Sequence, residues 1–403
     1  MKQLGIVLYV IGTAWIGYVY LGYPLLLMIL GLFRRIRTRP QDTYFPFISV
    51  LIAARNEEKD IEWKVNELLN SDYPAECLEV LVASDASEDR TDDVLARIRD
   101  PRLKWLRLQQ RGGKARALNE LVRRARGEVL FLTDANAHVR QGSLRLMARH
   151  FADARVGCVT GDSYSIPEPE YAAIGDGASV YWGYESQLRK LESRLGSVLV
   201  CDGAIFCIRR KLYTSLSPDL ANDLELPMRI ADLGYLILHE PEAVVWEHDT
   251  SSSSEEFARR RRICGQGALG MWRLRGTLHG IRGWQFVSHK ALRWLTLIPL
   301  AAMFGGSMLL MQNVIFRILL VAQTLFYACA VLAWWMHSTG RSVGTTFAVP
   351  FYVVLGAWGS FCGVIDACMG RRFDIWEIPT QSRGRSAAVI GQQSITPAVS
   401  DEM

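Results

Sequence analysis

The sequence predicts an α/β fold, a mostly parallel sheet with helices on both faces, hung between transmembrane helices at its two ends. Three observations carry this. Short apolar runs alternate four times with amphipathic stretches between Ile48 and Thr133; the charge-free stretch Leu4–Phe33 precedes them; and three further apolar stretches follow, about Leu295–Met311, Ile318–Met336 and Thr345–Met369. Each apolar stretch is long enough for a bilayer core, which takes about 17–25 helical residues.

The first stretch is far longer than the apolar region of a signal peptide, about 7–15 residues, and is read as a retained anchor. Arg34, Arg35, Arg37 and Arg39 follow it, and Arg259–Arg262, Lys290 and Arg293 precede the second. Basic flanks mark the cytoplasmic side, so the segment from Thr43 to Lys290 is expected in the cytosol with the amino terminus outside. Four crossings would then leave the tail outside, against the preference of Arg371, Arg372, Arg383 and Arg385. One apolar segment is therefore expected to be re-entrant or to lie along the interface. With 50% hydrophobic and 22% charged residues the chain is too apolar for disorder. The net charge of +5 is accounted for by membrane-adjacent arginine, so a lipid bilayer and no nucleic acid is the expected partner. Eight cysteines without a C-x-x-C pair suggest neither a disulfide framework nor a zinc site.

The first strand is the continuous apolar run Ile48–Ala54, the pattern of a strand covered on both faces. Asn56 is expected to cap a helix with Ile61, Val65, Leu68 and Leu69 on one face, stopped at Ser71-Asp72-Tyr73-Pro74. Leu78–Ala83 is the second strand, followed by Ser84–Ser87 and a helix carrying Val94 and Ile98. Leu103–Leu108 is the third, followed by a helix using Ala117, Leu118, Leu121 and Val122. Val129–Thr133 is the fourth. In such sheets ligands gather beyond the carboxyl ends of the strands. Those ends carry Arg55-Asn56-Glu57, Asp85, Gly112-Gly113-Lys114 and Asp134-Ala135-Asn136.

Gly112-Gly113-Lys114 opens a helix, so backbone N–H groups and the lysine could face a phosphate or diphosphate; the bland reading is a turn with a solvated lysine. Asp134 and Asn136, two residues apart, could share one hard cation, Mg²⁺ or Mn²⁺, or form an Asx turn. Asp85 could accept from the N–H of a base, or sit in an ordinary turn. Asp223 could cap a helix ending at Gly234, with Pro227 early enough to cost no intrahelical bond, or act as a general base.

These residues resemble the membrane-integrated family 2 glycosyltransferases with a GT-A fold, the group of the cellulose, hyaluronan and poly-N-acetylglucosamine synthases. The segments that carry the resemblance are ISVLIAARNEEKDI, LLNSDYPAECLEVLVASDASEDRTDDV, GGKARALNELVRRARGEVLFLTDANAHV, YWGYE, DGAIFCIRRKLY, ANDLELPMRIADLGY, EEFARRRRICGQG and SHKALRWL. The resemblance implies that Ala53, Asn56, Glu57 and Asp85 line the nucleotide, that Lys114 sits near the diphosphate, and that Asp134 and Asn136 fill the metal-binding D-x-D position. It makes Asp223 the catalytic base, sets Gly203 and Ala204 in a loop near the acceptor, and gives Arg262 a role in closing the site. Three departures stand out: Asn136 replaces a carboxylate, Asn222-Asp223 leaves one carboxylate of a pair, and Lys290 stands where the Q-x-x-R-W motif of the processive synthases has glutamine.

The expected organisation is an anchor with its basic flank (1–42), a cytosolic glycosyltransferase domain (43–250), basic amphipathic interface helices (251–293), transmembrane helices (294–372) and a polar tail (373–403). The implied function is inverting, metal-dependent transfer of a sugar from a nucleotide-sugar, a UDP-sugar by resemblance, to a glycan or lipid-linked acceptor at the cytosolic face of a bacterial inner or plasma membrane. The alternatives are single transfer to a polyprenyl phosphate or lipid, and a non-catalytic membrane scaffold with a decayed site.

Overall fold

The computed structural model describes residues 1–166, 172–196, 198–248, 253–339 and 344–373. Arg383, Arg385 and all but the first residue of the expected tail lie outside them. Eight strands form one mixed sheet: β1 (Ile48–Ala54), β2 (Leu78–Ser84), β3 (Leu103–Arg107), β4 (Val129–Asp134), β5 (His138–Val139), β6 (Val156–Ile166), β7 (Ile205–Arg209) and β8 (Leu236–His248). Their order is β3-β2-β1-β4-β7-β6-β8-β5. The first four are parallel neighbours, β7 runs antiparallel to both β4 and β6, and β8 is parallel to β6. The four expected strands are present, with ends that differ by at most one residue.

Alternation in β1 sorts the two cores. Ile48, Val50 and Ile52 face one side, packed with Ile61, Val65, Leu68 and Leu69 of α3 (Ile61–Leu69), Leu95 of α4 (Thr91–Arg97) and Met147 of α6 (Ser143–Ala148). Leu51 and Ala53 face the other, packed with Ala117, Leu118 and Leu121 of α5 (Gly113–Val122) and with Leu226 and Ile230 of α8 (Asn222–Asp232). A strand apolar at every position is thus covered twice. Asn56 does not cap α3, which Asp60 precedes; it sits at φ +53° in the preceding loop, its Oδ1 accepting from the Glu88 N–H at 2.8 Å. Asparagine tolerates the left-handed region, and that turn keeps the loop at the strand end.

The apolar helices come at both ends of the chain. α1 (Lys2–Gly17) and α2 (Tyr23–Phe33) join through one π-helical turn. Tyr23 and Leu27 of α2 are fully buried against Leu188 and Leu195, on or just after α7 (Ala172–Arg194), so this helix is welded to the sheet domain. After the sheet come α9 (Ser253–Arg273), α10 (Gly280–Phe286), α11 (Leu292–Trp294), α12 (Leu297–Leu309), α13 (Val314–Ser338) and α14 (Thr345–Cys368). Among the described residues, Lys2–Phe33, Val314–Ser338 and Thr346–Cys368 are long and apolar enough to cross a membrane; Gly280–Trp294 with Leu297–Leu309, bent by 59°, would make a fourth. The stretch expected at Leu295–Met311 holds one helix, shorter than a span. α12 has 13 residues, about 20 Å of rise, and reaches bilayer length only with the preceding pieces.

Candidate functional site

The carboxyl ends of β1, β2 and β4 lie side by side, because Ala53 is in register with both Ala83 and Asp134. Two clusters stand on that edge. In the first, the loops after β1 and β2 are tied together: Arg55 donates to the Asp85 carbonyl at 2.9 Å, and the Glu57 N–H donates to Thr91 Oγ1 at 2.7 Å. The Asp85 carboxylate accepts from the N–H groups of Gly112 at 2.7 Å and Gly113 at 2.9 Å. The Gly-Gly-Lys pattern suggests a phosphate for those N–H groups; in the structure a side-chain anion takes them, the usual way to satisfy a helix start. Gly113, at φ +76°, is where the chain needs glycine.

The second cluster joins residues far apart in sequence. Lys114 Nζ donates to Asp134 and lies 3.4 Å from the Gly203 carbonyl. Gly203 is so close to Asp223 that a Cβ on it would stand 3.2 Å from Asp223 Oδ2. Burial raises the Asp223 carboxyl above its ordinary range; Lys114 opposes the rise, while Asp202 and Asp134 add to it. Arg262 of α9 completes the group. Burial and neighbouring Arg259 lower its pKa, and Asp223 and Asp134 counter them. The edge therefore holds Ala53, Lys114, Asp134, Gly203, Ala204, Asp223 and Arg262 together, with Asn56, Glu57 and Asp85 beside them. Asn136, two residues beyond Asp134, is partly exposed.

Asp223 is the second residue of α8, not its cap, and Ala221 precedes the helix. Pro227 is therefore deep enough to remove one intrahelical donor, the N–H that would bond the Asp223 carbonyl four residues back. That carbonyl instead accepts from the Cys201 N–H at 2.9 Å. The missing donor thus docks the 201–204 loop onto the residue beside it.

Several charged residues were not singled out from the sequence. Lys64 is fully buried, donating to Thr133 Oγ1 at 3.1 Å and to the Ala137 carbonyl beneath the Asp134–Asn136 turn. Its place three residues after Ile61 and four before Leu68, on the buried face, was the available signal. Asp202, just before Gly203, accepts from Ser163 at 2.7 Å and from Arg189 at 3.2 Å; Arg189 also holds Asp162 at 3.1 Å. Glu247 of β8 is pushed up to about 7, by burial first and then by Asp134 and Asp202. Lys290 and Arg293, set against the Q-x-x-R-W motif, instead donate to Glu185 at 3.2 and 3.1 Å.

No group of three or more His, Cys, Asp or Glu able to hold a metal occurs among the described residues. Asp134 with Asn136 still fits a divalent ion of the kind bound by one or two protein oxygens plus substrate phosphates, and the crowding of Asp134, Asp202 and Glu247 favours positive charge there.

Residues 49–216 match the family model of Glycosyl transferase family 2. The beta-monoglucosyldiacylglycerol synthase of Synechocystis sp. is 35% identical over 119 residues, 28% of this chain and 25% of that protein. The N-acetylglucosaminyltransferase of Rhizobium meliloti is 25% identical over 226 residues, 52% of each chain. The chain thus spans between a quarter and about half the length of these relatives. Among solved structures, the mannosyltransferase PcManGT from Pyrobaculum calidifontis, in complex with GDP-Man and Mn²⁺, superposes with a TM-score of 0.68 at 22% identity, covering 92% of this chain and 99% of that one. Residues 49–216 thus match family 2 glycosyltransferases, and the chain has a GT-A-type fold set between helices apolar enough to cross a membrane.

Proposed function

We propose that this chain transfers a glycosyl group, with inversion, from a nucleotide-sugar to a hydroxyl of a glycan or lipid-linked acceptor at the cytosolic face of a membrane, and that the donor is a UDP-sugar. The observation that carries the reading is the convergence of Lys114, Asp134, Gly203 and Asp223 on one sheet edge, with Arg262 in electrostatic reach of both aspartates. Asp223 takes the proton of the acceptor hydroxyl as its oxygen bonds to the anomeric carbon; the bond to the diphosphate oxygen breaks on the opposite side, which inverts the centre. Lys114 and Arg262 offset the charge of the departing diphosphate. Ala53, Asn56, Glu57 and Asp85 line the nucleotide, and Gly203 and Ala204 leave room for the acceptor beside the base. A Mg²⁺ or Mn²⁺ held by Asp134 and Asn136 would neutralise further negative charge on the diphosphate.

Incubating membranes that contain the protein with a panel of labelled nucleotide-sugars and Mn²⁺ tests this. Chelator-sensitive label in a glycan or lipid product is expected; no transfer from any donor would refute the reading. Single transfer to a lipid is favoured over processive synthesis by Lys290, which stands where the processive motif has glutamine and pairs, like Arg293, with Glu185. A product one sugar longer than the acceptor is its signature.

Two smaller effects follow. Asn136→Asp restores a second carboxylate and is expected to lower the Mn²⁺ concentration for half-maximal transfer on the order of tenfold, about 1.4 kcal/mol. Pro227→Ala returns an N–H that competes with Cys201 for the Asp223 carbonyl. A hydrogen bond is worth about 0.5–1.5 kcal/mol, so transfer should fall roughly 2- to 10-fold. Thermal stability should rise, since interior proline is costly in a helix.

A further inference from the structure

The apolar helices can be ordered by their contacts. Along α1 towards the amino terminus, the Tyr18 hydroxyl meets Ser288 Oγ at 2.7 Å and Trp15 donates to the Leu292 carbonyl at 3.2 Å. Further along, a Cβ on Gly12 would lie 2.8 Å from the Pro299 carbonyl, and one on Gly5 would lie 3.0 Å from Leu309 Cβ. The segment from Ser288 to Leu309 therefore runs antiparallel to α1, from the end near the sheet to the far end. α13 returns: the Tyr9 and Phe316 rings are 5.1 Å apart, Gln323 donates to Ser307 at 2.9 Å, and the Phe304 and Tyr327 rings are 5.7 Å apart. By Ser338 the chain is back on the sheet side.

α14 does not then climb to the far end. A Cβ on Gly359 would stand 3.1 Å from Arg260 Cβ, Arg261 pairs with Asp366, Gln266 donates to the Phe373 carbonyl at 3.1 Å, and Arg371 donates to Asp366 at 3.0 Å. Every one of these α14 partners outside the helix and its own flank belongs to α9. That helix sits on the sheet domain, with Arg273 donating to Asp219 at 2.7 Å and Gly270 packed on Leu224 of α8. So the last turns of α14 end at the level of the site helix, not at the level of Gly5 and Leu309.

We infer that α14, although long and apolar enough to cross, lies in the membrane surface on the sheet side. Val349, Val353, Trp358, Ile365 and Met369, exposed in the structure, rest among the acyl chains and headgroups of that leaflet. The chain then crosses three times, through α1–α2, the bent segment ending in α12, and α13, and leaves α14 on the side of the sheet. This removes the conflict between the outside start and Arg371 and Arg372, since basic residues prefer the cytoplasmic side. It also accounts for Asp366, a carboxylate costly at mid-bilayer but ordinary at a surface between two arginines. α9, which carries Arg262, is thereby clamped between the site and the lipid surface. The inference does not depend on which reaction the sheet edge performs.

The test uses the full chain with Cys77, Cys329, Cys362 and Cys368 changed to serine, the other four cysteines being buried. Single cysteines are placed by Ala96→Cys on the sheet domain, Gln312→Cys between α12 and α13, and Arg372→Cys after α14, in vesicles of defined sidedness probed with a membrane-impermeant maleimide. Positions 96 and 372 should label from one side and 312 from the other. Labelling of 372 from the side of 312 overturns the inference. Nitroxide depth profiling at 349, 353 and 365 gives a second readout: equal shallow depths are expected, and a progression through the bilayer centre overturns it.

Discussion

Asp223→Asn is expected to lower sugar transfer by about 10²–10⁴-fold, the usual worth of a general base, with donor binding changed no more than a few-fold. Asparagine keeps the shape, so the Asp223 backbone carbonyl still receives the Cys201 N–H and the 201–204 loop stays docked. What is lost is the ability to take a proton, which acts only as the acceptor attacks; the loss should therefore fall on kcat and not on the donor KM. Equal losses in both would mean that Asp223 holds the donor instead. The pH dependence separates the roles further. Burial, with Asp202 and Asp134, raises the Asp223 carboxyl above the ordinary aspartate range. A base must be ionised to act, so transfer should rise with pH as this raised group loses its proton. That acidic limb should be absent from whatever activity Asp223→Asn retains.

How far the sequence reached depends on the distance over which each feature is encoded. Ile48–Ala54 and Val129–Thr133 could be read as strands because a run apolar at every position has few other uses. Asp134 and Lys114 could be picked out because motif and strand end coincide, and Asp223 because an acidic motif opens its helix. Arg189 with Asp202 and Asp162 could not, since the pairing depends on how α7 crosses β6, which no local pattern reports. The helix of Asp223 starts two residues earlier than a cap at Asp223 would set it, with Ala221 as its cap, so Pro227 stands well inside it. The anion that takes the glycine N–H groups, Asp85, lies 27 residues before Gly112, in the loop after β2, where no local pattern links the two.

Glu185 carries the second large effect, on stability. It is buried on α7 where the anchor helix meets the sheet domain, and it accepts from His289 at 2.6 Å, Lys290 at 3.2 Å and Arg293 at 3.1 Å. His289 also meets Glu192 at 2.8 Å, and Glu192 accepts from Tyr23 of the anchor at 2.5 Å. Burial alone would raise the Glu185 carboxyl; Arg293, Lys290 and His289 outweigh it and hold it well below the ordinary range. Because it is charged in the folded state, Glu185→Gln strands buried cations with one carboxylate fewer, a change that typically costs about 3–5 kcal/mol. For a domain of roughly 200 residues each kcal/mol shifts the midpoint by about 2–4 °C, so the purified variant should melt on the order of 10 °C lower. A purely steric role for Glu185 predicts almost no shift, since glutamine has nearly the same shape. Adding Lys290→Met separates the two further: it removes a cation that Glu185 no longer neutralises, and should recover part of the loss. If charge balance is what joins anchor to sheet, the double variant must melt above Glu185→Gln alone, whereas Lys290→Met in the parent chain must melt no higher than the parent.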